Sequence, residues 1–115
     1  MRLTSDFWVS ALTKRLFAEG GFASVLQKGA REAGTIFILL RNRFGQQALY
    51  GPAAQAVYDE ARPNERRFTL IAEGDDVVID KRLERERRFD PDFWLVEIEV
   101  TNLDEAERYF EIAAG

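Results

Sequence analysis

The side chains that could do chemistry in this sequence are tyrosines, arginines and carboxylates, because the chain contains no cysteine and no histidine. Without these two residue types, the Ser-His and Cys-His nucleophile pairs cannot form, and there is no imidazole base. The usual ligand sets for zinc, iron and copper are missing as well. The sequence therefore predicts no metal or other cofactor, and it argues against the common classes of catalytic centre.

One polar and aromatic cluster remains as a candidate ligand site, namely Tyr50 together with Tyr58, Asp59 and Arg62. Tyr58 could stack on a ligand or donate a hydrogen bond, and Arg62 could bind a carboxylate or a phosphate through paired hydrogen bonds. A local ion pair of Arg62 with Asp59 or Glu60 is favoured, since it needs no ligand. Both interpretations remain open from the sequence.

Two groups of aspartates could bind a hard cation, and each also has an ordinary structural role. Asp75, Asp76 and Asp80 stand at the start of an expected helix, where the helix dipole favours acids. Asp90 and Asp92 flank a proline in a turn before an expected strand. Neither group has the spacing of a calcium-binding loop, so the structural interpretation is favoured for both.

The run over residues 81–88 contains five basic residues and would be the first candidate for binding nucleic acid. Glu84 stands four residues before Arg88, and Arg82 stands four residues before Glu86, so the pattern predicts two ion pairs along one helix. Arginines that are neutralised in this way attract phosphate poorly. The sequence therefore argues against a nucleic-acid partner.

The charge of the chain is unevenly spread. Residues 1–50 carry seven lysines and arginines against three acids, whereas residues 89–115 carry one arginine against eight acids. The simplest interpretation is that the two ends complement each other within one fold, because surface charges are mostly solvated and weakly coupled. The alternative is attraction between unlike poles of two molecules.

The apolar run over residues 35–41 is the stretch around which the fold is expected to form. Ile36, Ile38 and Leu40 point to one side of an extended chain, and Phe37 and Leu39 point to the other. An apolar pattern on both sides is typical of a strand that is covered on both faces. The run therefore predicts a central strand with other elements packed above and below it.

The remaining patterns predict a single α+β domain over residues 1–115, with an antiparallel or mixed sheet of about four to five strands. Helices are expected near residues 6–19, 75–88 and 103–113. Residues 22–28 fit either a short strand or a helix, and their flanking glycines favour the strand. Residues 52–65 are the least regular part, in which residues 53–61 could form two helical turns between prolines. No apolar run is long enough to span a bilayer, and charged residues replace a signal-peptide core near the start, so a cytoplasmic location is expected.

Five segments are distinctive in combination, namely Asp6-Phe7-Trp8-Val9-Ser10-Ala11-Leu12, Gly21-Phe22-Ala23, Tyr50-Gly51-Pro52-Ala53, Tyr58-Asp59-Glu60-Ala61-Arg62-Pro63 and Phe89-Asp90-Pro91-Asp92-Phe93-Trp94. Together they resemble a known family of small alphaproteobacterial proteins, catalogued as domain of unknown function 1491. The resemblance extends over nearly the whole chain in length and in segment order. It implies a bacterial protein of one domain, and it brings no activity, cofactor or catalytic residue.

The elimination of common catalytic sets favours a non-catalytic protein-interaction module, with a homodimer as one form. Phe44, Phe93 and Leu95 are the apolar residues expected to be surplus to the core, so we predict that they form a contact surface for a second copy or another protein. The alternative function is a small enzyme or ligand binder that uses the cluster around Tyr50. Neither interpretation calls for a membrane.

Overall fold

The computed structural model describes residues 3–54 and 66–113. Within these residues, two α-helices, six strands and one 3-10 helix follow one another. The α-helices are α1 (Ser5–Ala18) and α2 (Asp76–Phe89), and the 3-10 helix spans Leu103–Arg108. The strands are β1 (Ala23–Gln27), β2 (Ile36–Arg41), β3 (Gln47–Pro52), β4 (Arg67–Gly74), β5 (Trp94–Glu99) and β6 (Glu111–Ile112).

The six strands form one mixed sheet in the order β1-β5-β2-β3-β4-β6. Strands β2, β3 and β4 pair antiparallel in succession, as does β1 with β5. Strand β5 lies parallel to β2, and β6 lies parallel to β4. The predicted α+β class is therefore confirmed, with one or two more strands than expected.

Strand β2 is buried on both faces, as the apolar run predicts. Ile36, Ile38 and Leu40 pack on one face against α1. Phe37 and Leu39 pack on the other face against α2. Each fully buried aliphatic side chain contributes about 1.5–3 kcal/mol through removal from water, so this strand alone supplies a large part of the core energy.

The two α-helices begin and end within one or two residues of the predicted bounds, because both carry clear capping residues. The Thr4 hydroxyl accepts a hydrogen bond from the Phe7 amide, and the Asp75 carboxylate accepts one from the Val78 amide. The buried Ser5 hydroxyl also donates to the Gly34 carbonyl at 2.6 Å, which ties the start of α1 to the loop before β2. Neither helix is long and apolar enough to cross a membrane, nor is any other helix within residues 3–54 and 66–113.

The helix expected over residues 103–113 is shorter than predicted and is followed by a strand. Its start is as expected, because the Glu105 carboxylate accepts a hydrogen bond from the Asn102 amide at 3.0 Å. The 3-10 helix ends at Arg108, and Glu111–Ile112 then pairs with β4, while the Ala113 amide donates to the Phe68 carbonyl. The outer side of β4 offers unpaired backbone N–H and C=O groups. Residues 111–112 bond to these groups as strand β6, in place of continuing the helix.

Residues 22–28 form the strand that their flanking glycines favour. This strand, β1, pairs with β5. Strand β5 therefore lies between β1 and β2, although β2 is the next strand along the chain. Gly20, at a φ of +83°, turns the chain from α1 toward β1. The result is that β1 lies at one edge of the sheet.

Replacement of a side chain in β2 should test the central position of this strand. Ile38 is completely buried, so we expect Ile38→Ala to lower the free energy of unfolding by about 2–5 kcal/mol through lost burial and a residual cavity. Val77, exposed on α2, provides the control, and Val77→Ala should change that free energy by no more than about 0.5 kcal/mol. Urea denaturation followed by tryptophan fluorescence measures both, and equal effects of the two substitutions would contradict the assignment.

Candidate functional site

Tyr50 is the one member of the predicted ligand cluster that lies within the described residues; Tyr58, Asp59 and Arg62 lie outside them. The Tyr50 ring is half-buried on β3 and packs edge-on against Phe110, with 5.1 Å between the ring centroids. Burial, and then the carboxylates of Glu73 and Glu107, raise the pKa of the Tyr50 phenol. Tyr50 is therefore neutral at physiological pH, where it can donate a hydrogen bond but cannot act as a base.

The end of the sheet at which β2 and β5 finish carries a polar crevice of about 340 Å³. Asn42 holds its turn together, since its side-chain oxygen accepts from the amides of Phe44 and Gln46 at 3.0 Å. The buried Gln47 side chain donates to Asp76 at the start of α2. The crevice is lined by Asn42, Gln46, Gln47, Glu73, Gly74, Asn102, Leu103 and Asp104.

These polar side chains bond mainly to one another and to neighbouring parts of the fold. The Asn42 amide group donates to the Gln46 side chain at 2.7 Å, and the Arg41 guanidinium lies 3.8 Å from Asp76 and 4.0 Å from Glu97. Buried polar groups that satisfy one another stabilise a unique arrangement of the chain. Across the described part of the chain, no three acidic side chains come together in a way that could hold a metal ion.

A second crevice, of about 440 Å³, lies beside the end of α1 and the segment that leads into β6. The Arg15 guanidinium there donates to the Tyr109 carbonyl, and Arg108 pairs with Glu105 at 3.0 Å. The cationic side chains of this crevice are thus engaged by the protein itself. Tyr50 lines neither of these two crevices.

The predicted contact surface of Phe44, Phe93 and Leu95 does not exist as one patch. Phe93 is 0% exposed and Leu95 is also buried, so their placement on the surface is wrong. The reason is that α2 covers the face of the sheet to which they belong, where Phe93 stacks edge-on against Phe37 at 4.9 Å. Phe44 is 73% exposed on the turn between β2 and β3, with the Arg43 guanidinium over its ring.

The basic run on α2 forms both predicted ion pairs. Arg82 lies 3.0 Å from Glu86, and Arg88 lies 3.9 Å from Glu84. Arg82 also donates to the Ile71 carbonyl at 2.8 Å. The helix therefore neutralises part of its own charge, as expected of a solvated face.

A group of exposed apolar side chains lies at the outer edge of β1. Phe22 and Leu26 are 50% and 52% exposed, and Val25 between them is also exposed. Phe17, in the last turn of α1, adds a further exposed ring and stacks edge-on against Phe22 with 5.9 Å between centroids. We call the outer side of β1, with Phe17, Phe22, Val25 and Leu26, the β1 edge.

The backbone of the β1 edge presents a defined set of free hydrogen-bonding groups. The Glu99 amide donates to the Phe22 carbonyl at 3.2 Å, and Ser24 lies opposite Glu97. Because bonded and non-bonded positions alternate in an antiparallel pair, Phe22 and Ser24 bond to β5, and the intervening positions do not. The N–H and C=O groups of Ala23 and Val25 therefore point away from β5. Ala23 is buried, so the outward groups on an exposed residue are those of Val25.

The β1 edge is held in place at both ends. At its start, the Gly21 amide donates to the Leu16 carbonyl at 2.8 Å. At its end, the Gln27 side chain donates to the Phe93 carbonyl at 2.9 Å and accepts from Arg87 at 3.2 Å. Gly29 then lies so close to the backbone that a Cβ atom there would meet the Asp92 carbonyl at 2.3 Å. An edge strand anchored in this way is preorganised for pairing.

The two outer strands of the sheet differ in how well they are protected against pairing with a strand of another molecule. Proteins guard edge strands with charges, prolines, bulges or very short strands. Strand β6 is only two residues long, and its Glu111 pairs with Arg67 at 3.2 Å. Strand β1 contains no charged residue and no proline, and its bulge, between Val25 and Gln27, leaves the preceding residues regular.

The sequence offered no signal for the β1 edge. Phe22, Val25 and Leu26 have the composition of a buried strand, and only the strand order places them at the periphery. Phe93 and Leu95 show the opposite case. Their charged neighbours in sequence favoured a surface position, but both residues lie buried beneath α2. Position in the sheet, and not residue type, separates these two groups.

The environment of Tyr50 generates a prediction about alkaline stability. A pKa that is raised in the folded state stabilises the fold below pH 10, and this contribution is lost as the pH rises through the folded-state pKa. We expect the free energy of unfolding to fall above about pH 10, and Tyr50→Phe to reduce that fall. Urea denaturation at pH 8 and at pH 11 measures both proteins; an undiminished alkaline loss in the variant would show that Tyr50 does not contribute.

Solved structures similar to this chain come from two alphaproteobacteria. The solution structure of a protein from A. tumefaciens has 46% identity and a TM-score of 0.81, covering 100% of this chain and 98% of that one. The crystal structure of a DUF1491 family protein from Caulobacter crescentus CB15 has 29% identity and a TM-score of 0.74, covering 99% and 100%. An NMR structure of a DUF1491 family protein from the same organism has 29% identity and a TM-score of 0.73, covering 99% of each chain.

A family model described as a protein of unknown function (DUF1491) matches residues 3–107. No curated protein matches the chain. The family match spans nearly all of the sequence, and it confirms the resemblance carried by the motifs quoted above. This chain belongs to the DUF1491 family.

Proposed function

We propose that this protein is a non-catalytic interaction module that self-associates by pairing β1 with the β1 of a second copy. The observation that carries the proposal is an anchored edge strand without charge or proline, at which Phe22, Val25 and Leu26 are exposed. An edge of this kind is a template for the addition of another strand. Main-chain hydrogen bonds and apolar contacts would then act together.

The charges at the ends of the β1 edge support a second copy as the occupant. Exposed Glu19 and Glu99 lie near the start of β1. Near its end lie two exposed cations, Lys28 and Arg87, and one exposed acid, Asp92, so this end keeps a positive balance. When two identical strands pair antiparallel, the acidic end of each meets the basic end of the other. The edge is therefore electrostatically complementary to itself, which favours this pairing over association through like-charged ends.

The exposed area sets the expected strength of the association. If a phenylalanine side chain carries about 200 Å², the four side chains of the β1 edge expose on the order of 350 Å² of apolar surface. This lies within the range of roughly 300–600 Å² for the largest, often functional patch on a monomer. Two such patches remain below the approximately 1,200–2,000 Å² that stable interfaces bury. We therefore expect a weak dimer whose population depends on concentration.

The alternative of a small-ligand site around Tyr50 has less support. Tyr50 itself packs on Phe110 and lines neither crevice. The other three residues of that cluster, Tyr58, Asp59 and Arg62, lie outside the described residues. No distance among the described groups favours a ligand there, so the interaction module is the better proposal.

Sedimentation equilibrium between about 10 μM and 1 mM tests the proposal, since a weak dimer populates over this range. The weight-average mass of the wild-type protein should rise from 13.2 kDa toward twice that value. Leu26→Lys places a charge on the edge, and we expect it to keep the protein monomeric across the range. Leu70→Lys is the matched control, because Leu70 is a similarly exposed leucine on β4, and it should dimerise like the wild type.

Val25→Pro tests the backbone contribution independently. The Val25 amide points outward, so proline there removes a donor from the β1 edge without removing a bond to β5. We expect a folded monomer, checked by circular dichroism and sedimentation. A wild-type protein that stays at 13.2 kDa up to 1 mM, or dimerisation that is unchanged in both edge variants, would overturn the proposal.

A further inference from the structure

We infer that two symmetric ion pairs orient the associated copies, each pair joining Arg87 of one copy to the partner's Glu99. This inference rests on the proposed self-association and adds the contacts that orient it. The observation behind it is that both charges stand beside β1 uncompensated. Among the described residues, no acid forms an ion pair with Arg87 and no basic side chain forms one with Glu99.

Arg87 is held at the end of β1 by its own surroundings. Its Nε donates to the Gln27 side chain at 3.2 Å, and its guanidinium lies 5.4 Å from the centre of the Phe93 ring. Two other arginines of the same helix, Arg82 and Arg88, pair with glutamates of that helix. Because Arg87 is already held in place, it loses little further freedom when it binds a partner.

Glu99 lies near the start of the same edge. It is the last residue of β5, and its amide donates to the carbonyl of Phe22, just before β1 begins. Two residues earlier on β5, Glu97 lies 4.0 Å from the Arg41 guanidinium. Glu97 is therefore engaged within its own copy, whereas the exposed Glu99 carboxylate keeps its negative charge for another molecule.

The two charges lie on the same face of the sheet. Side chains alternate along a strand, so Glu99 shares a face with Leu95, which packs under α2, the helix that carries Arg87. When two identical edges continue one sheet about a two-fold axis, the axis stands perpendicular to the sheet and the strands run antiparallel. The α2 faces of both copies are then on one side, and each Arg87 faces the partner's Glu99.

The spacing of the strands allows this contact. With the axis beside Val25, the middle residue of β1, the Gln27 end of one strand lies against the Phe22 end of the other. Glu99 is then two strand spacings from the partner's Gln27, or about 10 Å, which long arginine and glutamate side chains span together. A shift of one residue moves the strands by only about 3.4 Å, so the ion pairs do not depend on one hydrogen-bond register.

Charge reversal tests the ion pairs, with the dissociation constant of the dimer measured by sedimentation equilibrium at low salt. Arg87→Glu and Glu99→Arg each replace two attractive contacts by two repulsive ones, so we expect each to weaken the dimer about tenfold. The double variant restores opposite charges, and its dissociation constant should lie within about threefold of the wild-type value. Glu99→Arg leaves the Gln27 contact of Arg87 intact, so it tests the pair independently of that anchor.

Arg85→Glu is the matched control, because Arg85 is exposed on α2 two positions before Arg87 and therefore on the opposite side of the helix. It makes the same change in net charge and should leave the dissociation constant unchanged, and circular dichroism checks that each variant is folded. Single reversals that match Arg85→Glu, or a double variant no tighter than the singles, would overturn the ion pairs while the wild type still dimerises. A wild type that stays monomeric up to about 1 mM fails the proposed function itself, so the two failures are distinguishable.

Discussion

The burial of β2 on both faces is the constraint on which the rest of this structure depends. A strand with apolar side chains on both sides needs a covering layer above and below, and its backbone groups need partners on both edges. Strand β3 supplies one partner through a tight antiparallel turn, and β5 supplies the other in parallel. A parallel partner requires a long crossover, and the chain uses that crossover to bring α2 onto one face while α1 covers the other.

Two α-helices cover the middle of a six-stranded sheet more completely than its margins. At one margin the chain shortens the last strand to two residues and pairs its acid with Arg67. At the other margin, Val25 and Leu26 of β1 remain exposed, although both ends of the strand are anchored. The difference between the two margins, more than any single residue, is the basis of the proposed self-association.

At the polar end of the sheet, the buried hydrogen-bonding side chains bond to neighbouring parts of the fold. Asn42 and Gln47 are buried, and their side chains bond to the adjacent turn and to the start of α2. Arg41 lies between Asp76 and Glu97, so charge near this end is balanced across the strands. These contacts position the turn after β2 and the start of α2 relative to the sheet.

The sequence by itself determined the central strand, the caps of both α-helices, the ion pairs on α2 and the family, because each depends on residues close together along the chain. Local spacing decides which side of a strand is apolar and where a helix begins. Only the tertiary structure decided that β5 lies between β1 and β2, that α2 buries Phe93 and Leu95, and that residues 111–112 leave the helix to pair with β4. The physical reason is that the apolar patterns of β1 and β5 are each compatible with a central position and with an edge position in a sheet. Their exposure is set by which long-range pairings form, and the pattern of a single strand does not contain that information.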